Sequence, residues 1–595
     1  CMDAITPMGE RGRAGSGTGD DAAASQTPSV AELVDDFIMF ALANGTGGVS
    51  PLAVATAWFD WTLHLSAAPG VSSKLAAQAS AIAREFWLDC SPFYGSAPET
   101  ARRSEPLFNK QRRALVKAFD AADHLVDSAA SSVPGVSPHH RDLVRFAAHQ
   151  VLGAWRPENF LFTNPDAVQR TVDEYGGNLL KGWTRLMRDM SEQISPTGRD
   201  TEDDGFAVGE NLAVTPGSVV YRNDLIELIH YAPTGGGEYA EPILITPAWI
   251  MKYYIMDLSP ENSLVRYLLE AGFSVFMISW RNPTSEDADL SFDDYRTRGV
   301  LSALDAVSSL RSGRPIHTVG YCLGGTLLSI AAAALTRDGD DRIASITLLA
   351  AQTDFRDPGP LGLFIDEAQL ELLEASMASR GVLDADQMSG AFKLLRPREL
   401  VWRRLQQLYL LGEEEAQFDL LAWNADSTRM PRRMHTEYLR RLFLHNDFVQ
   451  GRFEVDGRPA AISDIRAPIF ALGTQKDHVA PWRSVYKINL FADTDVTFAL
   501  VSGGHNAGIV NPPSRGRGAH QVMTKKDLDH FVGADDWASS APRIEGSWWP
   551  TWIAWLTEHS TEKTPAQTPQ RADVASNTLP TTSDLPAAPG AYVFT

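Results

Sequence analysis

The chain has 595 residues and carries 53 Lys and Arg against 74 Asp and Glu, a formal charge of −21. This acidic balance argues against a nucleic-acid-binding protein, and the composition (44% hydrophobic, 21% charged) is that of a globular protein with ample core. Three cysteines (Cys1, Cys90 and Cys322) exclude a disulfide framework and a cysteine-rich zinc site, no metal is expected, and no apolar run approaches the length of a transmembrane helix.

The first third of the chain indicates a disordered tail followed by helices. Residues 1–28 are rich in small and polar residues without hydrophobic periodicity, so we expect them to be disordered. Apolar residues recur at helical spacing in 110–129 and 167–190, and Asn164-Pro165-Asp166 is a good helix start. Residues 29–205 are therefore predicted to form a helical N-terminal domain, with a structural or docking role.

From about residue 206, short β-rich runs alternate with helical segments. The runs are 243–246, 273–278, 316–320, 346–350, 469–472 and 496–501. They are too short for helices and lack clean alternation, which is typical of a parallel sheet covered by helices on both faces. We predict an α/β catalytic domain over 206–561, interrupted at about 355–465 by a helical cap. Residues 562–595 are expected to be a flexible tail, although its apolar end (589–594) is able to dock.

A Gly-x-Cys-x-Gly motif, Gly320-Tyr-Cys-Leu-Gly324, lies between a β run and a helical run. This is the nucleophile-elbow arrangement of an α/β-hydrolase fold, with cysteine in place of serine. Glycines at 320 and 324 let the strand and the helix approach closely, and the helix N-terminus favours the thiolate of Cys322. A small cysteine buried between packing glycines is the simpler alternative, and the strand–helix context argues against it.

The partners of such a nucleophile follow in the chain order of the α/β hydrolases, which is nucleophile, acid, histidine. Asp477 comes after the run 469–472, and His505 comes after the run 496–501. We expect Asp477 to accept the Nδ1 proton of His505, and His505 to face the sulfur of Cys322 through Nε2. His478 is a rival base, and we assign it a supporting role because adjacent residues rarely form an acid–base pair.

An oxyanion hole requires two backbone N–H groups that point at the developing charge. One is expected from Leu323, directly after the nucleophile. The other is expected from the turn after the first parallel run, at Trp249 or Ile250, and we select Ile250 because Trp249 is equally explained as a core residue.

At these residues the sequence resembles the polyhydroxyalkanoate synthases. The resemblance covers segments 159–165, 208–217, 254–263, 279–283, 320–326, 418–424, 477–482 and 504–513, with a further match at 546–550. It implies a class I-like acyltransferase that polymerises (R)-3-hydroxyacyl-CoA, with short acyl chains preferred, and releases CoA. It also implies Cys322, Asp477 and His505 as the catalytic residues and Arg396 as a contact to a CoA phosphate.

The same resemblance implies the cellular setting. Such enzymes act in the cytoplasm as homodimers at the surface of storage granules, where the polymer and phasins are their partners. No cofactor is expected, since CoA is part of the substrate. Two departures stand out: Met251 replaces the usual asparagine in the oxyanion loop, and residues 40–115 match the family poorly.

Two other functions remain open on the sequence. One is a thioesterase, esterase or depolymerase that uses the same three residues for hydrolysis. The other is a non-catalytic granule scaffold, against which the intact Cys322, Asp477 and His505 argue. The arginine-rich stretch 429–441 is interpreted as a solvated helix face.

Overall fold

The N-terminal helices are the first elements of the computed structural model, which describes residues 50–91, 107–194, 205–235, 237–385, 387–388, 390, 401–414, 417–565 and 585–595. They are α1 (Pro51–Ser66), α2 (Pro69–Cys90), α3 (Leu107–Ser132), α4 (Pro138–Ala154), α5 (Pro165–Asp173) and α6 (Gly177–Ile194). The prediction of a helical N-terminal region is confirmed. The side chain of Asn164 caps α5 by accepting the N–H groups of Asp166 and Ala167, each at 3.0 Å. The periodic run 167–190 is divided between α5 and α6, because Tyr175 and Gly176 both have positive φ.

The strands are β1 (Ser218–Arg222), β2 (Ile226–Tyr231), β3 (Ile243–Thr246), β4 (Val275–Trp280), β5 (Ile316–Tyr321), β6 (Ile343–Leu349), β7 (Val382–Leu383), β8 (Met430–Pro431), β9 (Phe453–Val455), β10 (Arg458–Ala460), β11 (Ile469–Thr474), β12 (Val496–Val501), β13 (Ala519–Lys525) and β14 (Arg543–Glu545). Ten of them form one sheet in the order β1-β2-β4-β3-β5-β6-β11-β12-β13-β14. Six neighbouring strands in this order, β4-β3-β5-β6-β11-β12, are parallel. They correspond to the six predicted runs, so the α/β prediction is confirmed.

The four outer strands of this sheet are antiparallel and were missed by the sequence analysis. β1, β13 and β14 are partly or largely exposed, so they lack the continuous apolar run of a buried strand. β2 is buried but contains Glu227 and His230, which break its apolar pattern.

The remaining helices are α7 (Leu264–Ala271), α8 (Phe292–Asp294), α9 (Ser302–Leu310), α10 (Leu323–Arg337), α11 (Glu367–Ala378), α12 (Arg403–Leu405), α13 (Asp419–Ala425), α14 (Arg432–Tyr438), α15 (Trp482–Tyr486), α16 (Ile488–Phe491), α17 (Ala534–Ser540) and α18 (Trp549–Glu558). π-Helical turns follow α8, α12 and α14, at Tyr295–Leu301, Gln406–Leu410 and Leu439–Leu444. Helix α10 is buried over its first twelve residues, which places its N-terminus inside the protein. Within the described ranges, no helix combines the length and the apolarity that a membrane span requires.

The elements between β6 and β11 form the cap, and the N-terminal helices contact it. The Nδ2 of Asn178 donates to the carbonyl of Leu410 at 2.7 Å, and the hydroxyl of Tyr409 donates to Asp189 at 2.7 Å. The N–H of Ser50 donates to Gln369 at 2.7 Å. The helical region is thereby attached to the cap by hydrogen bonds as well as by packing.

Residues 585–595 are docked, as the sequence analysis allowed for the apolar end (589–594) of the tail that it otherwise expects to be flexible. Ala587 bridges to Ser218 of β1, so the segment covers an edge of the sheet. The buried carboxylate of Glu227 accepts the N–H groups of Ala591 and Tyr592 at 2.8 and 2.9 Å. Local sequence could not reveal where this segment docks, because its partners lie more than 350 positions earlier in the chain.

Acid is expected to destabilise the sheet through two buried histidines. Burial lowers the pKa of His230 to about 3 and that of His317 to about 4, from an ordinary value of 6.5. Below pH 6.5 these two histidines are therefore protonated in the unfolded chain but stay neutral in the folded protein. The free energy of unfolding falls as the pH falls. Each histidine should remove about 1.4 kcal/mol of the free energy of unfolding per pH unit until its folded pKa is reached. Urea unfolding at pH 7, 6 and 5 measures this slope, and His317→Gln should reduce it. Substitution of the exposed His530 should leave it unchanged.

Candidate active site

Cys322 occupies a strained turn between β5 and α10. Its backbone has φ 51° and ψ −123°, a conformation that a non-glycine residue adopts only when the surroundings impose it. Its N–H donates to the carbonyl of Leu349 at 3.0 Å, and its own carbonyl accepts the N–H of Gly325 at 3.0 Å. The turn thus presents the side chain at the buried N-terminus of α10, as expected for a nucleophile elbow.

The two glycines of the motif face backbone atoms that leave no room for a side chain. A Cβ on Gly320 would lie 2.3 Å from the Cα of Gly325, so this glycine permits the contact of β5 with α10. A Cβ on Gly324 would lie 2.2 Å from the carbonyl oxygen of Thr246 and 2.6 Å from that of Pro247. Gly324 therefore allows the elbow to contact the turn after β3. The sequence analysis assigned this glycine only to the approach of the strand and the helix.

His505 and Asp477 are joined by a hydrogen bond of 2.8 Å between Nδ1 and Oδ2. Asp477 follows β11, and its side chain is fully buried. Its Oδ1 accepts the N–H groups of Val479 and Ala480, each at 2.9 Å, and the hydroxyl of Thr474 donates to Oδ2 at 2.9 Å. The carboxylate is therefore fixed by its own turn and presents one oxygen to the imidazole.

The electrostatics of the three groups are coupled. Burial by itself would lower the pKa of His505, but the charge of Asp477, the charge of Cys322 and hydrogen bonds to both raise it well above its usual value. Burial would raise the pKa of Asp477, yet His505 and the two backbone N–H groups hold it below its usual range. The imidazole is thus placed to hold a proton taken from the thiol, which is what covalent acyl transfer requires.

A chain of hydrogen bonds connects this site to the cap. The hydroxyl of Tyr321, next to the nucleophile, donates to the Oδ1 of Asn506 at 2.6 Å. The Nδ2 of Asn506, next to His505, donates to the Oδ1 of Asn424 at 3.1 Å. Asn424 belongs to α13 of the cap, so these two hydrogen bonds connect the cap to the turns that carry Cys322 and His505.

A small, largely apolar chamber of about 80 Å³ lies beside Cys322. Ile250 and Leu323 both line it, whereas Trp249 packs in the core against Trp280 and is only 2% exposed. The carbonyl of Ile250 accepts the N–H of Thr428 from the cap at 3.1 Å. Of the two residues that the sequence analysis considered for the second oxyanion N–H, Ile250 is the one beside the chamber.

The cap supplies polar residues to this chamber that the sequence analysis did not identify. His435 and Tyr438, on one face of α14, line it together with apolar side chains such as Leu361, Ile365 and Met430. The sequence analysis interprets 429–441 as a solvated helix face. This holds for the outer side of α14, where Arg433 forms a salt bridge with Glu437 at 2.8 Å. Helical periodicity predicts that the inner face of α14 is buried. It does not predict that this face lines the chamber beside Cys322.

A second cavity of about 430 Å³ adjoins the chamber. Phe355, Ile365 and Phe443 line both spaces and therefore separate them. His139 and Arg356 are among the polar residues that line the larger cavity.

Two further residues that the sequence analysis predicts, His478 and Arg396, are not placed in the chamber by the described part of the structure. His478 is half-buried in the turn after Asp477 and does not line the chamber, so its supporting role stays a prediction. Arg396 lies outside the described residues. In the part of the chain that the structure describes, no cluster of His, Cys, Asp or Glu side chains is arranged to hold a metal ion.

Models of three protein families match the sequence. One, described as the N-terminus of poly-beta-hydroxybutyrate polymerase (PhaC), matches residues 99–268, and a second N-terminal model of the same polymerase matches residues 29–70. The alpha/beta hydrolase fold matches residues 241–512. The expectation of a poor match over 40–115 is thereby corrected in part, since only 71–98 lies outside these models.

Several curated proteins are similar over most of their length. A poly(3-hydroxyalkanoate) polymerase of Methylorubrum extorquens is 36% identical over 497 residues, which cover 82% of this chain and 79% of the relative. A poly(3-hydroxyalkanoate) polymerase subunit of Rhizobium meliloti is also 36% identical, with 82% and 77% covered. That of Cupriavidus necator is 34% identical over 533 residues, with 84% and 89% covered.

Proposed function

Because the chain belongs to the poly(3-hydroxyalkanoate) polymerase family of acyltransferases, we propose that it polymerises (R)-3-hydroxyacyl groups from CoA thioesters into polyester, with Cys322 as the covalent acyl carrier. The observation that carries this proposal is the arrangement of Cys322 on a strained elbow beside the hydrogen-bonded pair of His505 and Asp477. The acyl carrier is a thiol rather than a hydroxyl, which suits exchange with another thioester.

In the first half-reaction, His505 takes the proton of the Cys322 thiol and the sulfur attacks the acyl carbonyl of the CoA thioester. The new bond joins the acyl carbon to the sulfur of Cys322, the bond to the CoA sulfur breaks, and His505 returns the proton to the departing CoA thiolate. The N–H groups of Leu323 and Ile250 stabilise the oxyanion between these steps. One thioester replaces another, so the step is close to isoenergetic.

In the second half-reaction, a hydroxyl of a bound monomer or of the growing chain attacks the acyl group on Cys322. His505 accepts the hydroxyl proton and delivers it to the cysteine sulfur as the carbon–sulfur bond breaks. An ester bond forms and the thiol is regenerated. Asp477 holds the imidazole in the tautomer that serves both half-reactions.

The size and apolar lining of the chamber support a preference for short acyl groups. At about 80 Å³ it is far smaller than the roughly 300–1,000 Å³ of a site for a whole drug-sized ligand. It suits a short acyl group, while the CoA moiety must lie outside, for which the adjoining polar cavity of about 430 Å³ offers space. Entry of the thioester then requires movement of the partition formed by Phe355, Ile365 and Phe443.

We also propose that the helical region contributes to attachment to polymer granules. Phe59 on α1, Trp87 on α2 and Trp183 on α6 are 66%, 74% and 58% exposed. Large apolar side chains in such numbers favour contact with an apolar surface such as polyester. The homodimer, the phasin partners, the cytoplasmic location and the lack of a cofactor stay predictions that rest on the family resemblance.

The proposal is tested by identifying the products formed from (R)-3-hydroxybutyryl-CoA by the purified full-length protein. Free CoA is followed with a thiol reagent, and the acyl product is separated into polymer and free acid. We expect CoA release to match ester bonds formed. Equal amounts of CoA and free 3-hydroxybutyrate would identify a thioesterase, and no CoA release from substrates of three acyl lengths would favour a scaffold.

A further inference from the structure

His435 differs from the other buried histidines in having no hydrogen-bond partner. Among the described residues, His230, His317, His435 and His520 are each at most 5% exposed. His230 contacts the hydroxyl of Ser274 at 2.9 Å, His317 contacts those of Ser345 and Ser560, and His520 contacts that of Thr551 at 2.8 Å. Within the same described ranges, the Nδ1 of His435 is buried without a partner.

An unpartnered buried polar group requires an explanation, because it has lost its hydrogen bonds to water and gained none in the protein. His435 lies on the cap helix α14, where Met434 and Tyr438 are buried with it. The position of His435 offers an explanation, because this residue lines the chamber beside Cys322. A polar group of the bound substrate would supply the missing hydrogen bond.

Two other polar residues that line the chamber are Thr326 and Tyr438. The hydroxyl of Thr326 donates to the carbonyl of Gln352 at 2.7 Å, so it is occupied. Tyr438 is three positions after His435 and therefore on the same face of α14, and it also lines the chamber. The remaining lining is largely apolar and suits the hydrocarbon part of an acyl group.

We propose that His435 binds the 3-hydroxyl group of the acyl chain carried by Cys322 and thereby selects 3-hydroxyacyl over plain acyl substrates. This inference rests on the proposed function, of which it specifies the substrate recognition. The 3-hydroxyl is the polar group that distinguishes the acyl part of a 3-hydroxyacyl thioester from that of an ordinary fatty acyl thioester. Like the imidazole, this hydroxyl would be costly to bury against an apolar lining without a hydrogen-bond partner.

The ionisation state of His435 fits this role. Burial lowers its pKa to about 4, so the ring is neutral near neutral pH. A neutral imidazole has one donor and one acceptor nitrogen, either of which can bind a hydroxyl. It therefore brings no second positive charge close to the His505–Cys322 pair.

The experiment compares acylation of Cys322 by (R)-3-hydroxybutyryl-CoA and by butyryl-CoA, which lacks the hydroxyl. Single-turnover release of CoA gives each rate, and intact-protein mass confirms each acyl-enzyme. We expect the wild type to favour the hydroxyacyl substrate and His435→Phe to reduce that preference by about 10–100-fold, through slower reaction of the hydroxyacyl substrate alone. His435→Gln, which keeps a hydrogen-bonding group, should restore part of the preference. Arg433→Gln, on the exposed face of the same helix, should leave it intact.

The outcomes separate this inference from the proposed function. Equal rates for the two substrates in the wild type, or parallel losses for both in His435→Phe, would overturn the role of His435. A wild type that releases free acid would overturn the polymerase proposal, while the acylation preference would still test His435. Circular dichroism checks folding, and His435→Leu provides the same comparison if the phenylalanine variant does not fold.

Discussion

Replacement of Cys322 by alanine is expected to lower CoA release from (R)-3-hydroxybutyryl-CoA by at least about 10⁴-fold, the scale of losses seen when a catalytic triad loses a member. The physical reason is that alanine leaves no atom to carry the acyl group, while His505 and Asp477 remain paired at 2.8 Å without a nucleophile to serve. Steady-state CoA release measures the loss, and intact-protein mass should show no acyl adduct.

Two further variants define the controls for this result. Cys90→Ala should retain nearly full activity, because Cys90 lies half-buried at the end of α2 and does not line the chamber. Cys322→Ser should form an ester that is slow to be passed on, since a serine ester lies lower in free energy than a thioester. Retention of substantial polymerisation by Cys322→Ala, or a large loss in Cys90→Ala, would contradict the assignment of the carrier thiol.

Replacement of Gly324 by alanine is expected to lower the rate of CoA release by about 10²–10³-fold, the scale of losing one oxyanion-hole donor or of a 1 Å misplacement. The new Cβ would lie 2.2 Å from the carbonyl oxygen of Thr246, a backbone atom that cannot rotate away. The elbow and the turn that leads to Ile250 must therefore separate, which moves the N–H groups of Leu323 and Ile250 apart. The effect should fall mainly on kcat, because the chamber wall on the cap side is untouched.

The matched control is Gly70→Ala, on α2, where no atom lies within 4 Å of the new Cβ. Its activity and thermal unfolding should resemble those of the wild type. Unchanged kcat in Gly324→Ala, with the protein folded, would show that the close approach of the elbow to the turn after β3 is not needed for oxyanion stabilisation.

The hydrogen-bonded pair of His505 and Asp477 was predictable because each residue lies a few positions after a buried β run. The carboxyl ends of parallel strands meet at one edge of a sheet, so residues after β5, β11 and β12 are brought together whatever their separation in sequence. The motif glycines were predictable for a similar reason, since a tight strand–helix turn tolerates no side chain. These features depend on local pattern and on a topological rule, both of which can be read from the chain.

The polar residues that the cap contributes to the chamber were not predictable in this way. His435 and Cys322 are more than 100 positions apart, and α14 approaches the elbow only because the whole cap folds over the sheet. The same holds for Asn424, which meets Asn506 from the cap at 3.1 Å. Periodicity identifies the inner face of a helix, but which surface that face meets is decided by tertiary packing.

The sequence by itself determined the helical N-terminal region, the parallel core of the sheet and the residues of the elbow and its acid–base pair, because these follow from local propensity and from strand order. Only the tertiary structure decided the antiparallel edge strands, the docking of residues 585–595 on Glu227 and the polar lining of the acyl chamber. The physical reason is that these features are stabilised by contacts between distant segments, whose free energy depends on shape and on paired hydrogen bonds that no short stretch of sequence contains.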